Sequence, residues 1–149
     1  MSRIAGRFQQ LAVQGRTALI PYIVAGDPSQ DITVPLMHRM VESGADIIEI
    51  GVPFSDPMSE GPVIQQGHER ALANGMCLSR VLELVQEFRK SDDTTPLLLM
   101  GYANPVMHMG YAAFADAASA AGLDALITVD IPPEEVDDIN KQLQRVGMD

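Results

Sequence analysis

Four short apolar runs, each followed by a segment with helical periodicity, constrain the fold more than any other feature of the sequence. They read TALIPYIVAG (17–26), ADIIEIGV (45–52), LLLMGYA (97–103) and DALITVDI (124–131). Strands that are apolar on both faces and separated by helices are typical of a parallel sheet with helical cover. The sequence therefore predicts an α/β fold with four βα units.

Helices are predicted before, between and after these strands. Ile4, Phe8 and Leu11 recur at helical spacing, which predicts an extra N-terminal helix over residues 3–13. The others are expected over 32–43, from Pro62 to Asn74-Gly75, from 81 to about 90, over 111–121, and from the Pro132-Pro133 pair to about 146. Pro35 is expected in the first turn of its helix, where its missing N–H is tolerated.

A glycine followed two residues later by an aspartate occurs three times. Gly44-Ala45-Asp46 and Gly122-Leu123-Asp124 each lead into a strand, and Gly147-Met148-Asp149 stands at the last residue. A generic helix stop explains any one copy. Three copies predict a fifth strand from residue 150, so we expect residues 1–149 to be a single incomplete domain, the first half of a longer protein.

Two architectures are compatible with this order of elements. One is an open doubly wound sheet, and the other is half of a (β/α)8 barrel, whose full length is about 250 residues. No G-x-G-x-x-G follows the first strand, which disfavours dinucleotide binding. Polar residues instead follow the strands: Asp27, Glu49, Tyr102 with Asn104, and Asp130. In a barrel these strand ends face one mouth.

Composition excludes several classes of function. The net charge is −10 and the cationic residues are scattered, which argues against a nucleic-acid partner. No apolar run approaches the roughly 20 residues of a membrane span, so a soluble cytoplasmic protein is expected. The single cysteine, Cys77, allows no internal disulfide and is expected to be inert. His38, His68 and His108 have no metal-binding spacing; we expect no metal site and interpret all three as surface or helix residues.

The stretch EIGVPFSDPMSEGP (49–62) is the least ordinary part of the chain. It places Glu49 between apolar strand residues and follows it with a stiff acidic loop. Four motifs, PYIVAGDP (21–28), GADIIEIGVPFSDPMSEGPVIQ (44–65), MGYANPV (100–106) and TVDIPPEE (128–135), together resemble the N-terminal half of the tryptophan synthase α subunit family.

The resemblance implies a (β/α)8 barrel with an extra N-terminal helix. It implies a lyase of tryptophan biosynthesis that cleaves indole-3-glycerol phosphate to indole and glyceraldehyde 3-phosphate. It also implies a partner β subunit, in an α2β2-type complex, that receives the indole. Pyridoxal phosphate is expected only in that β subunit, so this chain is expected to have no cofactor of its own.

The resemblance also implies the catalytic residues. Glu49 is expected to be the acid–base group, because retro-aldol cleavage protonates a ring carbon and deprotonates a hydroxyl. Glu60 occupies the place of the family's aspartate, which accepts the indole N–H, so this chain departs from the family there. A solvated loop acid is the alternative for Glu60.

Further residues resemble the family's indole pocket and its partner contacts. The pocket residues are Tyr22, Met100, Tyr102 and Val129, with core packing as the alternative for Met100 and Val129. The partner-interface or signalling residues are Pro53, Asp56 and Asp130. A turn or cap role is the alternative for Asp56, and an N-cap before Pro132 is the alternative for Asp130.

The phosphate site of such barrels follows strands 7 and 8, which the four predicted units do not include. We therefore expect the isolated chain to be inactive, and open edges at strands 17–26 and 124–131 to promote self-association. The alternative function is a non-catalytic module that binds the β subunit.

Overall fold

Four parallel strands form one sheet in the order β1-β2-β3-β4 in a computed structural model that describes residues 2–149. The strands are β1 (Tyr22–Val24), β2 (Ile48–Gly51), β3 (Leu97–Gly101) and β4 (Ala125–Thr128). Each strand pairs with the next in the chain, and the order never reverses as it does in a doubly wound sheet. The predicted half of a (β/α)8 barrel is therefore confirmed.

The helices cover one side of this sheet and one end of it. They are α1 (Arg3–Gln14), α2 (Gln30–Glu42), α3 (Pro62–Ala73), α4 (Leu78–Arg89), α5 (Ala103–Met109), α6 (Tyr111–Ala121) and α7 (Asp137–Arg145), with a 3₁₀ turn at Pro133–Glu135. The extra N-terminal helix is confirmed, as are the start of α3 at Pro62 and its stop before Gly75. No helix within residues 2–149 is long and apolar enough to span a membrane.

Three details of the helices differ from the prediction. Helix α2 begins at Gln30, so Pro35 lies inside the helix and not in its first turn. Helix α5 was not predicted, although Pro105 fits the start of a helix. The last predicted helix is divided into the 3₁₀ turn and α7. Short helices of this kind have too few residues to show a clear 3.6-residue period.

The first strand is shorter than its apolar run. Only Tyr22–Val24 pair as a regular strand, because Pro21 has no N–H to continue the ladder. Before it, the Leu19 carbonyl accepts from Asp46 N–H at 2.9 Å, and the Pro21 carbonyl accepts from Glu49 N–H at 3.0 Å. The segment still follows β2, but Leu19 and Ile20 remain 55% and 40% exposed.

The two faces of the sheet have different surroundings. Ile48, Ile50 and Leu99 are fully buried in the main core beneath the helices. On the opposite face Ile47, Leu98 and Ala125 form a small cluster, against which Ile4 of α1 packs. Because side chains alternate along a strand, Glu49 lies on the face of Ile47, which is the inner face of a barrel.

The repeated glycine–aspartate phrase has a structural role. The carboxylate of Asp46 accepts the backbone N–H of Leu19 at 3.0 Å, and that of Asp124 accepts the N–H of Leu97 at 2.8 Å. Each buried aspartate thus fixes the start of the preceding strand. Asp149 donates its N–H to Asp124 and accepts from Leu126, which is the pattern of a parallel neighbour of β4.

Candidate functional site

The candidate site lies at the carboxyl ends of the strands, around Glu49 of β2. Glu49 is half-buried and stands in register with Tyr22 on β1 and Leu98 on β3. Burial raises the pKa of the Glu49 carboxyl, and the nearby charge of Glu60 raises it further. A carboxyl that holds its proton at higher pH is suited to act as a general acid.

The segment between β2 and α3, residues 52–61, is called the acidic loop below. Two hydrogen bonds fix it to the barrel: the Phe54 N–H donates to Nδ1 of His68 at 3.0 Å, and the Ser59 N–H donates to Oη of Tyr102 at 3.0 Å. The Phe54 ring also stacks on the Tyr102 ring, with 5.1 Å between centroids. A loop tied to two different elements presents its side chains in a defined place.

Glu60, near the end of this loop, belongs to the same cluster as Glu49. Its backbone carbonyl accepts from the Gln65 side chain at 2.9 Å. Its charge contributes to raising the pKa of Glu49 and of Tyr22, and it also acts on His68. The Glu60 carboxylate therefore lies near enough to Glu49, Tyr22 and His68, which belong to three different elements, for its charge to act on all three. Its role as the indole N–H acceptor stays a prediction.

Tyr22 and Tyr102 line the same mouth. The Tyr102 side chain is buried, whereas that of Tyr22 is partly exposed. Burial, followed by the charges of Glu60 and Glu49, raises the pKa of the Tyr22 phenol well above its ordinary value. Tyr22 is therefore a neutral hydrogen-bond donor at all physiological pH values.

Met100 and Val129 follow Tyr22 and Tyr102 around the mouth. Met100 stands opposite Gly51 on β2 and Ile127 on β4. The Val129 N–H donates to the Gly101 carbonyl at 3.1 Å. Both residues keep part of their surface exposed, so neither is a fully buried core residue. Their exposure is compatible with the predicted pocket.

The predicted partner residues have separate surroundings. Pro53 is buried, and Asp56 is exposed and accepts a hydrogen bond from the Ser55 hydroxyl at 2.6 Å. The Asp130 carboxylate accepts from the Ala103 N–H at 2.8 Å. The alternative, in which Asp130 is an N-cap before Pro132, was therefore wrong. Asp130 binds the first residue of α5, and the 3₁₀ turn after Pro132 has no side-chain cap.

His68 is the residue that sequence reasoning missed. We interpreted it as a surface or helix residue; it lies in α3, but it is only 2% exposed and contacts two parts of the site. Ile64, His68 and Ala71 follow the i, i+4, i+7 pattern of a buried helix face, and that signal could have identified it. Within residues 2–149 no group of three or more histidine, cysteine, aspartate or glutamate side chains is arranged to hold a metal ion.

Comparison with known proteins gives a consistent result. A sequence model of the family described as "Tryptophan synthase alpha chain" matches residues 8–149. The tryptophan synthase alpha chain of Laribacter hongkongensis is 60% identical over 148 residues, which are 99% of this chain and 56% of that protein. The chain thus spans about half the length of the curated relatives it matches.

Solved structures agree with the sequence matches. Tryptophan synthase subunit alpha from Legionella pneumophila superposes with a TM-score of 0.98 at 50% identity, over 99% of this chain and 56% of that one. A chain from the tryptophan synthase a2b2 complex of Pyrococcus furiosus superposes with a TM-score of 0.83 at 37% identity, over 88% of this chain and 55% of that one.

Proposed function

Because this chain belongs to the tryptophan synthase alpha chain family, we propose that it carries the acid–base residues for cleaving indole-3-glycerol phosphate to indole and glyceraldehyde 3-phosphate. One observation carries the proposal. Glu49 and Glu60 are brought together at the mouth of the half barrel, where burial and the Glu60 charge raise the pKa of Glu49. A carboxyl group with a raised pKa beside a second carboxylate suits proton transfer.

The reaction is a retro-aldol cleavage. The protonated Glu49 carboxyl gives its proton to the indole ring carbon that bears the glycerol phosphate chain. The resulting carboxylate then takes the proton of the adjacent glycerol hydroxyl. The oxygen forms the aldehyde of glyceraldehyde 3-phosphate, the carbon–carbon bond breaks, and its electron pair restores the aromatic indole. One carboxyl group thus acts as acid and then as base, and no proton is gained or lost overall.

Glu60 holds the indole ring in this proposal. Its carboxylate accepts the indole N–H, and this contact strengthens as the ring gains positive charge on protonation. Tyr22, Met100, Tyr102 and Val129 form the walls of the pocket. A glutamate is longer than the family's aspartate by one carbon–carbon bond, so its carboxylate reaches farther from the backbone of the acidic loop.

The substrate phosphate requires groups outside the four βα units of residues 2–149. In barrels of this kind the phosphate is held by the loops after strands 7 and 8. Loss of binding energy at a remote part of the substrate lowers turnover as well as affinity. We therefore propose that residues 1–149 do not cleave the substrate alone.

The experiment uses a chimera in which residues 1–149 are followed by the unmatched remainder of the Laribacter hongkongensis relative, called the eight-unit chimera. Indole release is measured for the chimera and for its Glu49→Gln variant, which keeps the shape but cannot shuttle a proton. We expect the substitution to abolish release. A loss of less than about tenfold, or 1.4 kcal/mol of barrier, would show that Glu49 is not the acid–base group.

A second candidate function is binding to a tryptophan synthase β subunit without chemistry. The observation behind it is the exposed outer side of the acidic loop, where Met58 is 74% exposed and Asp56 borders a groove of about 370 Å³ against α3. Pyridoxal phosphate is expected in that partner and not in this chain. Titration of the chain against a β subunit tests the candidate, and an unchanged elution volume together with unchanged β-site turnover would refute it.

A further inference from the structure

His68 is buried at the junction of three elements of the site. It projects from α3, it accepts the Phe54 N–H of the acidic loop at Nδ1, and its Nε2 lies 3.4 Å from the Tyr22 hydroxyl oxygen of β1. Its partners are therefore the loop that carries Glu60 and the tyrosine that stands beside Glu49.

These contacts define the protonation of the imidazole. A backbone N–H can only donate, so Nδ1 must accept and cannot carry a proton. The proton of the neutral ring is then on Nε2, which donates to the Tyr22 oxygen. Burial lowers the pKa of His68, which keeps the ring neutral although the Glu60 charge opposes the shift.

The state of His68 determines what Tyr22 can do. Once the Tyr22 oxygen accepts from His68, its own O–H remains free to donate. The charges of Glu60 and Glu49 both act on the Tyr22 phenol, so this O–H lies in the field of two carboxylates. A Tyr22 hydroxyl that donates toward these carboxylates stabilises the arrangement of Tyr22, Glu49 and Glu60 on which the proposed chemistry depends.

We propose that His68 is a positioning residue, which as the Nε2–H tautomer anchors the acidic loop through Phe54 and directs the Tyr22 hydroxyl proton toward Glu49 and Glu60. The expected effect on indole release rests on the proposed function. The tautomer of His68 and its anchoring of the acidic loop do not. His68 itself contacts no reacting atom; it acts through the loop and through Tyr22.

Two amide variants separate the two contacts. In His68→Asn the amide oxygen can replace Nδ1 as acceptor for Phe54, but nothing reaches Tyr22. In His68→Gln the amide nitrogen can replace Nε2 as donor to Tyr22, but the acceptor for Phe54 is lost. Tyr22→Phe removes the hydroxyl while it keeps the ring. All are made in the eight-unit chimera.

The first readouts require no activity. Nitrogen-15 NMR of the imidazole in the unsubstituted chimera is expected to show a neutral ring protonated at Nε2, and a proton on Nδ1 would overturn the proposal. Hydrogen exchange at the Phe54 amide is expected to be slow in the parent and in His68→Asn, and at least tenfold faster in His68→Gln. Equal exchange in the two variants would also overturn it.

The kinetic readout tests the action through Tyr22. His68→Gln is expected to lower kcat/KM about tenfold through the released loop. His68→Asn is expected to lower it a few-fold, and to have no effect when Tyr22→Phe is already present. If the kcat/KM of the double variant falls by the product of the two single fold-changes, His68 and Tyr22 act independently and the proposed action through Tyr22 is refuted. If no chimera releases indole, the proposed function fails, while NMR and exchange still decide the role of His68.

Discussion

Tyr22 and Gly51 lie on adjacent strands so close together that a Cβ atom at Gly51 would stand 2.1 Å from the Tyr22 hydroxyl oxygen. The ring of Tyr22 therefore crosses β2 above Gly51, where no side chain blocks it. Glu49, two residues earlier on the same face, gains its neighbouring phenol in this way. The glycine is required by a side chain and not by an unusual backbone angle.

Gly51→Ala is expected to displace the Tyr22 ring and to lower stability by about 1–3 kcal/mol, the usual cost of overpacking. Chemical denaturation of the eight-unit chimera measures the change. Gly6→Ala is the matched control, because a Cβ at Gly6 of α1 meets nothing within 4 Å and is expected to be neutral or stabilising. Gly51→Ala is also made in a Tyr22→Ala background. If its loss of unfolding free energy there falls to that of Gly6→Ala, the clash with the ring is the cause. An unchanged loss would contradict this account.

The raised pKa of Glu49 predicts a pH dependence of stability. A carboxyl whose pKa is higher in the folded state contributes stability below its unfolded value of 4.5, and this contribution is lost as the pH rises through the folded value. Glu49→Gln removes the buried charge. We therefore expect this variant to be more stable than the parent at pH 7, and the advantage to shrink as the pH approaches 4.5.

Urea unfolding at pH 7 and at pH 4.5 measures this difference. Glu83→Gln serves as control, since Glu83 is an exposed carboxylate of α4 whose ion pair with Arg80 lies on the surface. The raised pKa would be contradicted if Glu49→Gln and Glu83→Gln had the same pH dependence.

The alternation of apolar runs was sufficient to predict a parallel α/β sheet, but it was compatible with both a doubly wound sheet and half of a barrel, and the family resemblance implied the barrel. LLLMG and ALIT occur as strands in which Leu97, Leu99 and Leu126 pack into the helix-covered core, and this pattern is local. The placement of Glu49 in β2 was predictable for the same reason. The family resemblance added the roles assigned to Glu49 and Glu60, which no pattern in the sequence contains by itself.

What could not be predicted depends on contacts between distant segments. The Asp130 carboxylate binds the start of α5, 27 positions earlier, so its proximity to Pro132 in the sequence was misleading. The participation of His68 depends on how α3 lies over the end of β1. Both are properties of the assembled sheet and helices, whereas sequence patterns report on single elements.

Glu60→Asp is expected to increase kcat/KM for indole release in the eight-unit chimera. Aspartate restores the carboxylate position that the family uses, and a displacement of about 1 Å in an active site can cost on the order of 100-fold in rate. Steady-state kinetics of the chimera and its Glu60→Asp variant measure the effect, with Glu69→Asp on the exposed side of α3 as control. An equal or lower value would show that the acidic loop is built around a glutamate.

Residues 1–149 alone are expected to self-associate and to release no indole. Within residues 2–149 the inner face of the sheet has no opposite wall of strands, and Ile20 and Ile127 are 40% and 43% exposed. The outer edge of β1 also offers unpaired backbone groups to a second chain, since the sheet order places β1 at one edge. Pairing of two copies would cover both features.

Light scattering on the freshly purified chain, together with the indole-release assay, tests this expectation. Ile127→Lys is the informative variant, because a charge on the inner face of β4 should reduce association without removing a buried contact of the helix-covered core. Val13→Lys on the exposed side of α1, where Val13 is 90% exposed, is the control and should leave association unchanged. A monodisperse 16.1 kDa monomer that releases indole would show that four βα units are sufficient.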